Sequence, residues 1–349
     1  MVTIVDIARE SGVSVGTASR VLNHCTNVSE GSRQKVMAAV EKLHYIPNES
    51  ARYLKLNDTH TVVVIVKGIA NTFFSPMIER ITAGLKKAGY TTVLTSADGV
   101  KDEVFLGRKM IYEKKTNGII FLGGDFTGSV EKLKHFPVPF VLSAIGASTE
   151  EMRFDNGSVI AGSGFLSSYR ITDYLINLGH RSIAVLQADP ESSMSKERLA
   201  GYRRALEDNR IQYDANIVFS AGDSEKQYSI EGGYRAMKNA LKKKTIYTAL
   251  EAFSDTLAFG AKRALIEGMY RIPEDISLTG IDGTSLALYS VPSITTMAND
   301  PLVLADHTVK MLLELMKGKS KGKIMQIEPH IIVGESTAKT NGVVTDAIS

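Results

Sequence analysis

The stretch TIVDIARESGVSVGTASRVLN, residues 3–23, sets two short apolar-periodic segments either side of Gly12. Thr3, with Asp6 three residues on, reads as a helix N-cap by analogy with the capping box. Ile4, Val5, Ile7 and Ala8 supply the apolar side of that first helix. Gly12 follows Ser11 where a left-handed C-cap would sit. Ser14 then caps a second helix, with Val13 placed to staple onto Ala18. On that helix Ala18, Val21 and Leu22 follow the i, i+3, i+4 spacing of one buried face. Val15, Gly16, Ser19, Arg20 and Asn23 fall on the other side, which carries no acidic residue. Ser29 opens a third helix, with Val36, Val40 and Leu43 pointing inward.

Three short helices with a Gly-marked turn between the first two form a helix-turn-helix unit. The second helix would lie in the major groove, with Val15 and Gly16 towards base edges. Arg20 can donate two hydrogen bonds to a guanine edge. Ser19 and Asn23 could hold phosphates, which fixes register rather than sequence. The same pattern also suits a small helical bundle with a solvated face. Charge does not decide between them. Residues 1–60 carry seven Lys/Arg against six Asp/Glu, so any DNA affinity must come from local placement and dimerisation.

The next stretch, YIPNESARYLKLN at residues 45–57, joins this bundle to the rest of the chain. Pro47 prevents smooth continuation of the third helix, and Asn48 can cap a new one. A helix this short is marginal in water and needs a partner surface to form. The run DIARESGVSVGTASRVLN…VSEGSRQKVMAAVEKLHYIPNESARYL resembles the LacI/GalR family of bacterial transcription regulators. In that family the linker folds into a hinge helix on operator DNA. The resemblance implies that Leu54 wedges a central minor-groove step, accompanied by Ala51 and Arg52. Apolar side chains are known to open base steps in this way. The residues expected on DNA are therefore Thr3, Ser14, Val15, Gly16, Thr17, Ser19, Arg20, Asn23, Ala51, Arg52 and Leu54.

A chain of 349 residues exceeds one ordinary core. The composition is globular, with 44% hydrophobic and 23% charged residues. No run is apolar and long enough to span a bilayer, and no secretory signal is seen. The single Cys25 rules out an internal disulfide, so a cytoplasmic location is expected. The net charge of +3 hints only weakly at an anionic partner.

From Thr61 the chain alternates strand and helix. TVVVIV, TTVLTS, GIIFLGG and FVLSAI form one series of apolar strands; SIAVLQA, NIVFSAG, YTALEAF and ISLTGID form a second. Such alternation gives parallel sheets covered on both faces, here as two α/β lobes. KKAGYTTVL, INLGHRSIAVL and IEGMYRIPEDISL each leave a helix at Gly and enter a strand. The expected architecture is multidomain: an all-α helix-turn-helix headpiece at 1–46, a hinge at 47–59 and an effector-binding domain at 60–349. That domain resembles the two-lobed periplasmic-binding-protein-like core of the same family. Its first lobe is expected at about 60–160 and 291–322, its second at about 161–290 and 323–340.

Open α/β sheets bind ligands outside the carboxyl ends of their strands. The loop IVKGIANTFFSPM offers Asn71, Phe73 and Phe74, with one of the two rings expected in the cleft. An aromatic ring beside polar groups suits a sugar or a base. By resemblance, Arg198 in SMSKERLAGYRRAL and Asp282 in GIDG bind ligand. FSDTLAFGA adds Ser254 and Asp255, MAND adds Asn299, and Tyr228 is a weaker candidate. Asp and Asn beside Arg can share the donors and acceptors of vicinal hydroxyls. The family often carries Asp where this chain has Ala144 and Ser163, and Asn where it has Ser254. These losses remove polar groups many relatives aim at sugars and leave room for a smaller, modified, phosphorylated or non-sugar ligand.

Enzyme chemistry finds little support. GSGFLSS at residues 162–168 is a partial GxGxxG lacking its third Gly. There is no GxSxG elbow. The seven histidines show no ligand spacing, so neither metal nor cofactor is expected. The expectation is a ligand-responsive regulator, a repressor of carbohydrate-utilisation genes. It would bind a pseudo-palindromic operator as a homodimer, without membrane contact, and be switched by a small molecule between the lobes. A regulator answering a non-sugar ligand or a protein co-regulator is the alternative. A metabolic enzyme on the same core is the rival of another class.

Overall fold

The computed structural model describes residues 3–22, 28–43, 60–146, 151–222 and 227–340. They fall into two compact units, within residues 1–59 and 60–349. The first unit holds α1 (Ile4–Ser11), α2 (Val15–Leu22) and α3 (Glu30–Lys42). Thr3 caps α1 by a reciprocal pair: its hydroxyl accepts from Asp6 N, and its own N–H donates to Asp6 Oδ2 at 2.9 Å. Gly12 ends α1 at φ 65°, where a Cβ would be strained. Ser14 Oγ accepts from Thr17 N at 3.1 Å and starts α2. Ile7, Ala8, Ala18, Val21, Val36 and Ala39 form the small core.

The second unit begins with β1 (Thr61–Val66), α4 (Phe74–Lys87), β2 (Thr91–Ser96), α5 (Glu103–Lys114), β3 (Gly118–Leu122), α6 (Val130–Lys134), β4 (Phe140–Ile145) and β5 (Gly157–Gly162). It continues with α7 (Gly164–Asn177), β6 (Ile183–Gln187), α8 (Ser193–Asp208), β7 (Val218–Ser220), α9 (Ile230–Leu241), β8 (Ala249–Ala252), α10 (Asp255–Glu267) and β9 (Ser277–Asp282). It closes with α11 (Ser285–Leu288), β10 (Thr295–Ala298), α12 (Pro301–Met316), β11 (Ile324–Ile327) and β12 (His330–Ile332). Two six-stranded sheets result, ordered β11-β5-β4-β3-β1-β2 and β12-β10-β9-β8-β6-β7. Their pairings are parallel, save β12 against β10.

Two details differ from the sequence expectation. Residues 291–322 were expected in the first lobe and 323–340 in the second. Within those ranges α12 packs on the first sheet and β12 joins the second, but β10 pairs with β9 in the second sheet, Met297 opposite Ile281, and β11 pairs with β5 in the first. The chain crosses between the lobes after β5, after β10 and after β11. A short apolar strand has no preference for one sheet over another until a neighbouring edge offers its hydrogen bonds. The helix ends also differ. Gly89 and Gly179 take φ 87° and 98°, but at the third end Gly268 has φ −81° and Met269 takes the left-handed position at φ 66°.

Both sheets turn their carboxyl strand ends towards one cleft. The first sheet packs α4 and α12 on one face, where Met77, Ile81, Leu85 and Leu312 are buried. On its other face a train of phenylalanine edge contacts runs through Phe121, Phe136, Phe140 and Phe154.

Candidate functional site

The strand-end loops of the two lobes enclose a cavity of ≈ 440 Å³. On the first lobe, Asp98 shapes the loop after β1 by accepting from Gly68 N at 2.6 Å and Ile69 N at 3.2 Å. This brings Asn71 to the second lobe, where Asn71 Nδ2 donates to Asp282 Oδ2 at 3.2 Å. Asn71 Oδ1 accepts from Thr256 Oγ1 at 3.1 Å and from Phe73 N at 3.0 Å. Tyr228 lies over Gly68: a Cβ placed there would sit 3.7 Å from Tyr228 Cγ. Gly68 is at φ 77°, so glycine serves both the turn and the close approach.

Arg198 projects from the second turn of α8. Its Nη1 donates to the Phe253 carbonyl and its Nη2 lies 3.7 Å from Asp282 Oδ1. Its Nε is buried with no hydrogen-bond partner, as is Asn299 Oδ1. Burial pulls the guanidinium pKa down, while Asp282 pushes it back up. Burial pushes the Asp282 carboxyl up to about 7 against the opposing pull of Arg198. Asp282 also sits at φ 133°, a strained backbone for a side chain other than glycine. A strained, buried acid beside a buried arginine with an unused donor is a common mark of a binding site.

Asn71, Phe73, Phe74, Arg198, Tyr228, Ser254, Asp282 and Asn299 all line this cavity. Both phenylalanines form the wall, where one was expected, and both also belong to the core of the first lobe. Asp255 departs from expectation. It is fully buried and does not line the cavity; its carboxylate accepts from Thr284 N at 2.7 Å, Thr284 Oγ1 at 3.0 Å and Thr296 Oγ1 at 2.6 Å. Those bonds fix the turn that follows Asp282, so Asp255 positions the acid in place of touching ligand. Ser163 and Ser254 spend their oxygens capping α7 and α10, by accepting from Leu166 N and Leu257 N. Asp or Asn would cap there equally well, so these replacements keep the local fold. Ala144 lines the cavity in a left-handed conformation, φ 53°, which Asp tolerates better than Ala.

Sequence reasoning missed Asp125, Thr256 and Ser193. Asp125 lies just past β3 in FLGGDF, so the strand-end rule that found Asn71 could have found it too.

In the first unit, Ser14, Val15, Gly16 and Arg20 are exposed and Thr17 and Ser19 half-buried. Val15 keeps 44% of its surface. Thr3 is exposed at the start of α1. Asn23, Ala51, Arg52 and Leu54 lie outside the described residues.

Residues 3–48 match the model of bacterial regulatory proteins, lacI family, and residues 172–337 that of a periplasmic binding protein-like domain. The chain is 33% identical over 335 residues to the HTH-type transcriptional regulator MalR of Clostridium butyricum, covering 95% of this chain and 98% of that protein. It is 32% identical over 343 residues to the HTH-type transcriptional repressor PurR of Vibrio atlanticus (strain LGP32), covering 97% and 99%. Among solved structures it is similar to the lac repressor dimer bound to operator and the anti-inducer ONPF. The TM-score is 0.75 at 27% identity, covering 97% of this chain and 99% of that one. It is also similar to the transcriptional regulator CelR in complex with cellobiose, with TM-score 0.67, 25% identity, and 96% and 100% covered.

Proposed function

The chain belongs to the lacI family of bacterial regulatory proteins, and from that premise we propose that it is an operator-binding repressor switched by a carbohydrate held between its lobes. The observation that carries this reading is the convergence of Arg198, Asp282, Asn71 and Asn299 on one cavity. There Arg198 Nε and Asn299 Oδ1 have no protein partner. A buried donor and acceptor left open beside an aromatic wall match the hydroxyls and ring face of a sugar. Cellobiose in the CelR complex supports the same class of ligand.

Two copies bind a pseudo-palindromic operator, with α2 in the major groove, Val15 and Gly16 against base edges and Arg20 donating to guanine. Residues 47–59 are the hinge, with Leu54 as the minor-groove wedge that bends the operator centre. The ligand changes how the lobes close, and operator-dependent folding of the hinge reads that change. Linkage makes the coupling mutual, typically ~1–3 kcal/mol. No described helix is long and apolar enough to cross a membrane.

A thermal-melt panel of sugars, sugar phosphates, polyols, nucleosides and purines tests this reading. Ligand at 100 times its Kd adds about 2.7 kcal/mol to the native state. We expect a shift with one saccharide class, abolished by Arg198→Ala. A shift with nucleosides or purines alone would replace the carbohydrate reading by a nucleobase one, and a flat panel at millimolar concentrations would overturn both.

A further inference from the structure

Charge in the cavity wall says which ligands the cleft accepts. Its cations are Lys67, Lys101 and Arg198. Lys67 lies 3.3 Å from Glu103 and donates to the carbonyls of Ala97 and Val100. Arg198 faces Asp282. Lys101 is exposed at the edge. Against them the same wall carries Asp125, Asp189 and Glu191 in addition to Glu103 and Asp282. Carboxylates therefore outnumber cations, and the two inner cations each face a carboxylate, with only Arg198 Nε left open.

One further feature of the wall would draw an anion: the N-terminus of α8, a 16-residue helix whose first N–H groups and dipole favour negative charge. That position is filled from across the cleft. Asp125, on the first lobe, accepts from Ser193 N at 3.2 Å through Oδ2. Its Oδ1 accepts from Thr127 N at 3.0 Å and Thr127 Oγ1 at 2.7 Å, which aims the carboxylate. Burial acts to raise its pKa, but the bonds from Thr127 and Ser193 prevail and hold it below the usual value, so it is ionised at neutral pH.

We propose that Asp125 is the charge-selecting and closing residue of the cleft: it pins α8, the helix carrying Arg198, to the first lobe and reserves the site for ligands without negative charge. Phosphorylated sugars are refused where their phosphate would meet Asp125 at this helix terminus. This rests on the carbohydrate reading above and sharpens it.

The test titrates inorganic phosphate, and glucose 6-phosphate beside glucose, against the full chain and its Asp125→Ala and Asp125→Asn variants. Ionic strength is matched with chloride, and binding is followed by calorimetry and melting. The parent should show no saturable phosphate binding. Asp125→Ala should bind phosphate at least about tenfold more tightly than the parent, and Asp125→Asn, which keeps an acceptor for Thr127 and loses only the charge, should gain about two- to fivefold. A parent that binds either phosphate compound as tightly as Asp125→Ala would overturn the proposal. So would folded variants, recognised by their unliganded melting, that gain no affinity for phosphate. Failure of every neutral saccharide to bind would bear on the carbohydrate reading alone, because the phosphate titration reads Asp125 without it.

Discussion

The two lobes share a strand order and differ in what they bury. Among the described residues the first lobe buries no charged side chain; its interior is aliphatic and aromatic, with rings 5.1 to 5.9 Å apart along the phenylalanine train. The second lobe buries Glu251, Asp255, Lys262 and Asp282, together with His180. Each has partners there. Glu251 accepts from Thr172 Oγ1 at 2.6 Å and from Ser168 Oγ, and Lys262 donates to the Pro292 carbonyl at 2.7 Å. The difference teaches a division of labour. A lobe packed by dispersion and apolar burial is indifferent to pH and supplies a firm wall. A lobe holding desolvated charges is sensitive to pH and to loss of a partner.

The largest expected effect is on the aromatic side. Phe140 lies so close over Gly157 that a Cβ there would fall 2.2 Å from its ring. Phe140→Ala should cost about 3–5 kcal/mol in chemical denaturation, with no dependence on pH between 5 and 8. A loss that varies strongly with pH would break the comparison. Next comes Arg198→Ala. It leaves Asp282 without its counter-charge and should cost about 2 kcal/mol at pH 8. At pH 5 the cost should shrink, because an acid whose pKa is already near 7 then carries its proton in the folded state. An equal cost at both values would show that the arginine acts by packing.

Glu251 gives the third. Burial raises its pKa to about 7, while the Ser168 and Thr172 hydroxyls oppose the rise. The folded state then holds a proton the unfolded chain releases near 4.5, so its contribution falls as pH climbs from about 4.5 to 7. Glu251→Gln should remove a slope of at most about 1.4 kcal/mol per pH unit from stability measured across that window. An unchanged slope would place the pH sensitivity elsewhere in the lobe. The smallest effect is at the facing wall. Gly68→Ala adds a methyl group at ordinary contact distance from Tyr228, so its cost of about 1 kcal/mol should be backbone strain alone and insensitive to pH. A much larger loss would show that Tyr228 closes the cleft against Gly68 more tightly than 3.7 Å implies.

Much of this molecule is legible in local sequence. Thr3 with Asp6, Gly12 and Ser14 mark helix ends because caps are satisfied by neighbours within a few residues. The buried strands show as apolar runs because both sheet faces are covered. The strand-end rule and the family resemblance together named eight residues that do meet in one cavity. Other features needed distant parts of the chain. Asp255 and Asp282 are both acids after a strand in the second lobe, yet one is turned onto Thr284 and Thr296 and the other into the cleft. Asp125 gains its meaning from Ser193, 68 positions away. Strands β10 and β11 look alike in sequence and join different sheets. Sequence by itself determined the elements, their caps and the family, because those rest on short-range hydrogen bonds and periodic burial. Only the tertiary structure decided which acid lines the cleft, which is a strut and which accepts from the helix terminus, because hydrogen-bond partners from remote segments set the charge and direction of a buried carboxylate.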